Sequence, residues 1–175
     1  FWELSEQAWQ DMIDTNLSGV WRSAKAVAPH MIERRQGAIV MTSSINGLEP
    51  GANYAHYVSA KHGVIGLMRN VALELAPYGI RCNAVCPGAI DTPMTDWQGA
   101  YNMFAGHEGG TREERNQGGY SFHALAGRGM LPPTAVSNAI LWLVSDEAAD
   151  ITGVALPVDA GHMILPGLNP NPVRG

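Results

Sequence analysis

Apolar residues recur at spacings of three and four along the first stretch of the chain, where Ile13, Leu17, Val20, Trp21, Ala24, Val27, Ala28 and Met31 make one stripe. That period predicts a helix which Ser5 caps and which runs towards Arg35, with Gly37 ending it. The next run, Ala38 to Thr42, is apolar without alternation, the pattern of a strand buried on both faces of a parallel sheet. Ser43, Ser44, Asn46 and Gly47 stop it. A second helix is predicted from Tyr57 to Ala76, its inner stripe formed by Ala60, Val64, Leu67, Met68, Val71 and Leu75, and Pro77 and Gly79 close it. Ile80 to Cys86 reads as a strand that Pro87-Gly88 terminates, because proline cannot donate to a ladder. Thr134 is expected to cap a helix through about Ser145 with Val136, Ile140, Leu143 and Val144 inward, and Ala155 to Val158 to form a third short strand.

Helix, strand, helix, strand, helix, strand, with long crossovers, implies an α/β fold with three parallel strands. Residues 1–165 are expected to belong to one domain. The stretch 96–133 has no clear period and is rich in glycine, so it reads as a mobile flap with one or two short helices. Residues 166–175 read as an extended, proline-rich terminal arm.

Composition narrows the function. Of 175 residues 46% are hydrophobic, enough for a sizeable core. Eleven Lys plus Arg stand against sixteen Asp plus Glu, a formal net charge of −5, and no basic run offers nucleic acid a binding face. No apolar stretch approaches the roughly 20 residues needed to span a bilayer, and the start of the chain lacks the sections of a signal peptide. A soluble, cytoplasmic protein with no membrane partner is expected. Cys82 and Cys86 fall in a predicted strand, where buried thiols are expected rather than a bridge or a metal pair. The chain opens at Phe1-Trp2 without an initiator Met, close to a helix start, as a piece of a longer protein would.

The strongest local signal is Tyr57-Val58-Ser59-Ala60-Lys61. On a helix, positions i and i+4 share a face. An adjacent ammonium would stabilise the phenolate and pull down a phenol pKa that is ordinarily near 10, letting Tyr57 exchange a proton with an alcohol or carbonyl. The alternative is a ring packed on the helix beside a snorkelling lysine. Ser44 stands at the carboxyl end of the first strand, where ligands collect in open α/β sheets. It either holds a substrate oxygen while Tyr57 moves the proton or bonds its own backbone as a turn serine.

Together, Asp14-Thr15-Asn16-Leu17, Thr42-Ser43-Ser44 with Gly47, Tyr57-x-x-x-Lys61 and Pro87-Gly88-x-x-x-Thr92 resemble the ordered motifs of the short-chain dehydrogenases/reductases. The resemblance implies a Rossmann-like, doubly wound parallel sheet whose N-terminal half precedes this chain, and hydride transfer between a nicotinamide ring and an alcohol or carbonyl carbon. It implies Tyr57 as the acid/base and Lys61 as the group that lowers its pKa and bonds the nicotinamide ribose. Ser44 would be the substrate-oxygen ligand. Asn16 would hold a water that links Lys61 to solvent; otherwise it is a mid-helix Asn bonded locally. Ile90 and Thr92 match positions on the carboxamide, and Pro87-Gly88 would let the backbone approach the ring, whereas Asn83 is expected to be structural. The family's glycine-rich phosphate turn is not in these residues, so they are expected to hold no cofactor alone.

The flap and the ending from Ile151 to Gly161 resemble the mycofactocin-coupled, carveol-dehydrogenase-like subgroup. That implies tightly held NAD, with NADP left open, and alicyclic or terpenoid secondary alcohols as substrates. Electrons would pass to the redox peptide cofactor mycofactocin. The two long helices resemble those that form a four-helix contact in family dimers, so a homodimer or homotetramer is expected. Two other readings stand beside this one, a catalytically silent binding protein on the same fold and an NADPH-dependent 3-oxoacyl-type carbonyl reductase.

Overall fold

The computed structural model describes residues 1–174. They form two compact units, one of residues 1–86 with 139–156, the other of residues 87–138 with those from 157 onward. Three strands make one sheet in the order β1-β2-β3, with β1 Gly37–Thr42, β2 Ile80–Pro87 and β3 Ala155–Val158. β1 and β2 are parallel, in a register that sets Ile39 against Cys82 and Thr42 against Val85. The third strand keeps the bounds expected of it, and the α/β class with a parallel sheet is as the sequence implied.

In the first unit Ser5 caps the opening helix as expected, its hydroxyl accepting from the Ala8 amide at 3.1 Å. The single helix expected from Ser5 towards Arg35 is instead three pieces: α1 Glu6–Ile13, a π-helical turn Asp14–Ser18 and α2 Gly19–Arg34. The π turn holds one more residue than an α turn, so it breaks the stripe there. Leu17, inside it, is pressed onto α3 (Ala55–Leu75) where Gly63 leaves room, since a Cβ at Gly63 would lie 2.8 Å from a Leu17 methyl. Gly37 does not end α2. Arg35 does, in the left-handed region at φ 52°, and Gly37 is already the first residue of β1.

Burial along the stripe also departs from expectation. Ala24 is the fully buried residue of α2, while Trp21 and Val27 are exposed. β1 is at the edge of the sheet and buries only Met41 completely, whereas central β2 is buried almost throughout. The expectation of a first strand covered on both faces is thus met by β2 instead. The core gathers Met41, Val64, Ile65, Met68, Ala72, Cys82, Ala84 and Cys86. Both cysteines are buried and neither is in a disulfide, and burial pushes the Cys82 thiol up to about 12.

Asn83 binds the segment leading into β3 with both ends of its amide, donating to Ile151 O at 2.9 Å and accepting from Val154 N at 3.0 Å. The Arg81 guanidinium donates to Leu143 O at 2.6 Å and Ser145 O at 3.0 Å. Leu143 O is one of the carbonyls that the C-terminus of α6 (Pro133–Val144) leaves without an intrahelical partner, and Ser145 stands just beyond that helix. Thr134 does not cap α6. Proline occupies its first position, as its fixed φ favours, and Thr134 is already helical. Leu143 is buried as expected but Val144 is exposed.

In the second unit the stretch read as a flap carries two helices, α4 Gln98–Ala105 and α5 Arg112–Ser121. Thr111 and Glu114 form a reciprocal capping box at the start of α5. Among the described residues no helix is long and apolar enough to cross a membrane, and no three His, Cys, Asp or Glu side chains gather as a metal site.

Candidate active site

The first unit brings Ser44, Tyr57 and Lys61 together by tying the end of β1 to α3. Ser43, buried next to Ser44, donates from its hydroxyl to Lys61 O at 2.9 Å. Gly47 makes room for this contact, because a Cβ there would stand 2.8 Å from Lys61 O. Sequence reading placed Ser43 within a motif without a role, and the bond from its hydroxyl to α3 supplies one.

Ser44 is extended and caps the short 3-10 turn Ile45–Gly47, its hydroxyl oxygen accepting from Asn46 N at 3.1 Å. The turn-serine alternative is therefore realised, and the substrate-facing alternative survives beside it: one lone pair is taken by the backbone, and the O–H remains for a second partner. The Tyr57 phenol is half-buried, and the Ser44 hydroxyl is close enough to it to lower its pKa.

Lys61, one turn along α3, is only 8% exposed. Its Nζ donates to Thr42 O at 3.1 Å and lies 5.5 Å from the centre of the Tyr57 ring. Electrostatics differ here from expectation. Burial raises the Tyr57 phenol above its ordinary value of 10, the Ser44 hydrogen bond opposes this, and Lys61 is not among the causes. Burial also holds the Lys61 ammonium below the usual lysine value, with Cys86 opposing. Desolvation is the larger influence on both groups.

Asn16 sits in the π turn. Its amide donates to the Met12 sulfur at 3.0 Å, a local bond, but to a side chain rather than to the backbone. Asn16 and Lys61 both line a cleft of about 430 Å³ whose other walls include Thr15, Ala24, Val40 and Thr42.

The other four predicted residues belong to the second unit, except that Pro87 also closes β2. Gly88 donates its N–H to Val158 O at 3.1 Å, and a Cβ on it would stand 3.0 Å from Asp159, a packing reason for glycine separate from any ligand. Ile90 is buried and bridges Leu131. Thr92 precedes the 3-10 turn Pro93–Thr95, and its N–H donates to Thr95 Oγ1 at 3.3 Å. Two buried polar residues here carried no expectation from sequence, Arg115 and His123.

A family model described as enoyl-(acyl carrier protein) reductase matches residues 1–163. A (−)-trans-carveol dehydrogenase of Rhodococcus erythropolis is 45% identical over 161 residues, covering 91% of this chain and 58% of that protein. A Mycolicibacterium smegmatis protein named as a short-chain type dehydrogenase/reductase is 42% identical over 162 residues, with coverage of 91% and 58%. The crystal structure of carveol dehydrogenase from Mycobacterium avium in complex with NAD superposes with a TM-score of 0.87 at 41% identity, covering 93% of this chain and 59% of that one. The chain thus spans about 58% of the length of the curated relatives it matches.

Proposed function

The chain belongs to the short-chain dehydrogenase/reductase family, and on that premise we propose that the intact protein oxidises a secondary alcohol, alicyclic or terpenoid in character, to its ketone with NAD. The observation that carries the proposal is the placing of Tyr57 and Lys61 one turn apart on α3, with Lys61 Nζ 5.5 Å from the Tyr57 ring and bonded to the end of β1 next to Ser43-Ser44. The cofactor supplies a ring carbon that accepts the hydride from the carbinol carbon. Tyr57, as phenolate, takes the hydroxyl proton of the alcohol, so proton and hydride leave in one step and a C=O bond forms. Ser44 holds the substrate oxygen through the O–H that its backbone bond leaves available.

Lys61 spends one ammonium hydrogen on Thr42 O. Its remaining donors suit the ribose hydroxyls at the nicotinamide end of the cofactor, and Asn16, in the same cleft, would order the water that returns protons to Lys61. Pro87, Gly88, Ile90 and Thr92 would receive the nicotinamide and its carboxamide. The residues of this chain fit that end of a dinucleotide; no glycine-rich phosphate turn occurs in the sequence. The electrons would pass on to mycofactocin, and the cytoplasm would house the reaction.

Tyr57→Phe keeps the ring and removes the transferable proton, so turnover with carveol as alcohol should fall by roughly 10²- to 10⁴-fold, while NAD still binds. Retained turnover in that variant would overturn the mechanism.

A further inference from the structure

The run Arg112 to Arg115 looks like a solvated charged face of an insertion, yet Arg115 is completely buried. Its guanidinium reaches from α5 to the strap 91–96, the segment that carries Thr92. Nη2 donates to Asp91 Oδ1 at 2.8 Å and Nη1 to Thr95 O at 3.1 Å. Nη1 is also 3.9 Å from Asp96 Oδ1. Asn116 takes Nη2 at 2.6 Å and Nε at 3.1 Å, which fixes the plane of the fork. The acceptors on the strap bracket Thr92 on both sides in sequence.

Inside the strap, Thr95 is the hub. Its hydroxyl donates to Ile90 O at 2.6 Å and accepts from Thr92 N at 3.3 Å. A second anchor holds the opposite flank, where Asp91 N donates to Leu131 O at 2.8 Å. Leu131 on one flank and Arg115 on the other thus anchor the backbone on both sides of Thr92. A planar guanidinium can meet Asp91, Thr95 and Asn116 at once; a lysine ammonium is a point charge on a flexible stem and cannot.

We propose that Arg115 is a positioning residue: from the insertion it locks the strap 91–96 and thereby sets Thr92 for the cofactor. This rests on the reading of Thr92 given under Proposed function, and the lock and the cofactor role are separable by experiment. The intact protein would be followed by hydrogen exchange without any ligand and by calorimetric titration with NAD.

Arg115→Met should speed exchange at Thr92 and Thr95 while leaving β1 and α3 unchanged, and should weaken NAD binding by about tenfold. At saturating NAD, kcat should stay near the wild-type value while KM for NAD rises, a split that general misfolding would not give. Arg115→Lys should recover only part of the loss. Thr92→Val should weaken NAD in the wild-type background but add nothing to Arg115→Met, because both act through one contact. Asp91→Ala removes one acceptor and leaves Arg115 its bonds to Thr95 O and Asn116, so it should give the same changes in smaller measure.

Unchanged exchange in the strap of both Arg115→Met and Asp91→Ala would overturn the lock. Faster exchange with unchanged NAD affinity in Arg115→Met, where Thr92→Val does weaken binding, would overturn its link to the cofactor. If Thr92→Val has no effect either, the reading of Thr92 itself falls, and the functional half of the proposal with it.

Discussion

Burial and one hydroxyl act in opposite directions on the acidity that the proposed chemistry depends on. The Ser44 hydrogen bond lowers the phenol pKa of Tyr57, so it favours the phenolate, while burial works the other way and wins. Ser44→Ala removes the lowering influence and keeps the burial. The phenol should then lose its proton at higher pH, and the alkaline rise of alcohol oxidation should move upward, with turnover reduced at neutral pH. An initial-rate pH profile on the two proteins checks this, and a rise at unchanged pH would separate Ser44 from the titrating group. The pairing of Tyr57 with Lys61 was legible from a four-residue spacing. The sign of the Tyr57 shift was not, because spacing shows which groups are neighbours but not how much water the fold removes from them. Arg115 was hidden for the same reason: nothing in a run of charged residues says which one turns inward.

At the scale of elements, strands and long helices were legible because their periods are tertiary requirements written locally. Their failures cluster where a local rule met a neighbour. The π turn that contains Asn16 breaks the single expected helix, and no helix-breaking residue stands within it to announce the change. The face of α2 was expected inward, yet Trp21 and Val27 are exposed. Asn83 was expected to be structural, and its role now has partners. It is 1% exposed and its amide donates to Ile151 O and accepts from Val154 N. Asn83→Ala would leave Val154 N without its partner and Ile151 O with only the longer Arg81 bond at 3.5 Å, at a cost of about 1–3 kcal/mol. Equilibrium urea unfolding of the intact protein should show that loss as a lower midpoint at unchanged slope. A midpoint within error of wild type would mean that water replaces the amide.

At the scale of the whole molecule, the open question is what meets the outward side of the long helices. Exposed apolar side chains occur there: Trp9 on α1, and Leu73 on α3, which is 75% exposed. Scattered surface apolar residues are ordinary, so exposure alone does not identify an interface. A charge substitution distinguishes the cases. In a monomer, Leu73→Asp exchanges one solvated side chain for another within a helix and should change stability by less than about 0.5 kcal/mol. In the homodimer or homotetramer expected from the family resemblance, the same aspartate would be forced against an apolar partner face, where an unpaired charge is strongly unfavourable. The intact wild-type protein should therefore scatter light as a dimer or tetramer at micromolar concentration, and Leu73→Asp should shift it to a smaller species with its circular dichroism unchanged. A wild-type monomer would reject the assembly, and an assembly indifferent to Leu73→Asp would move its contact away from this face of α3.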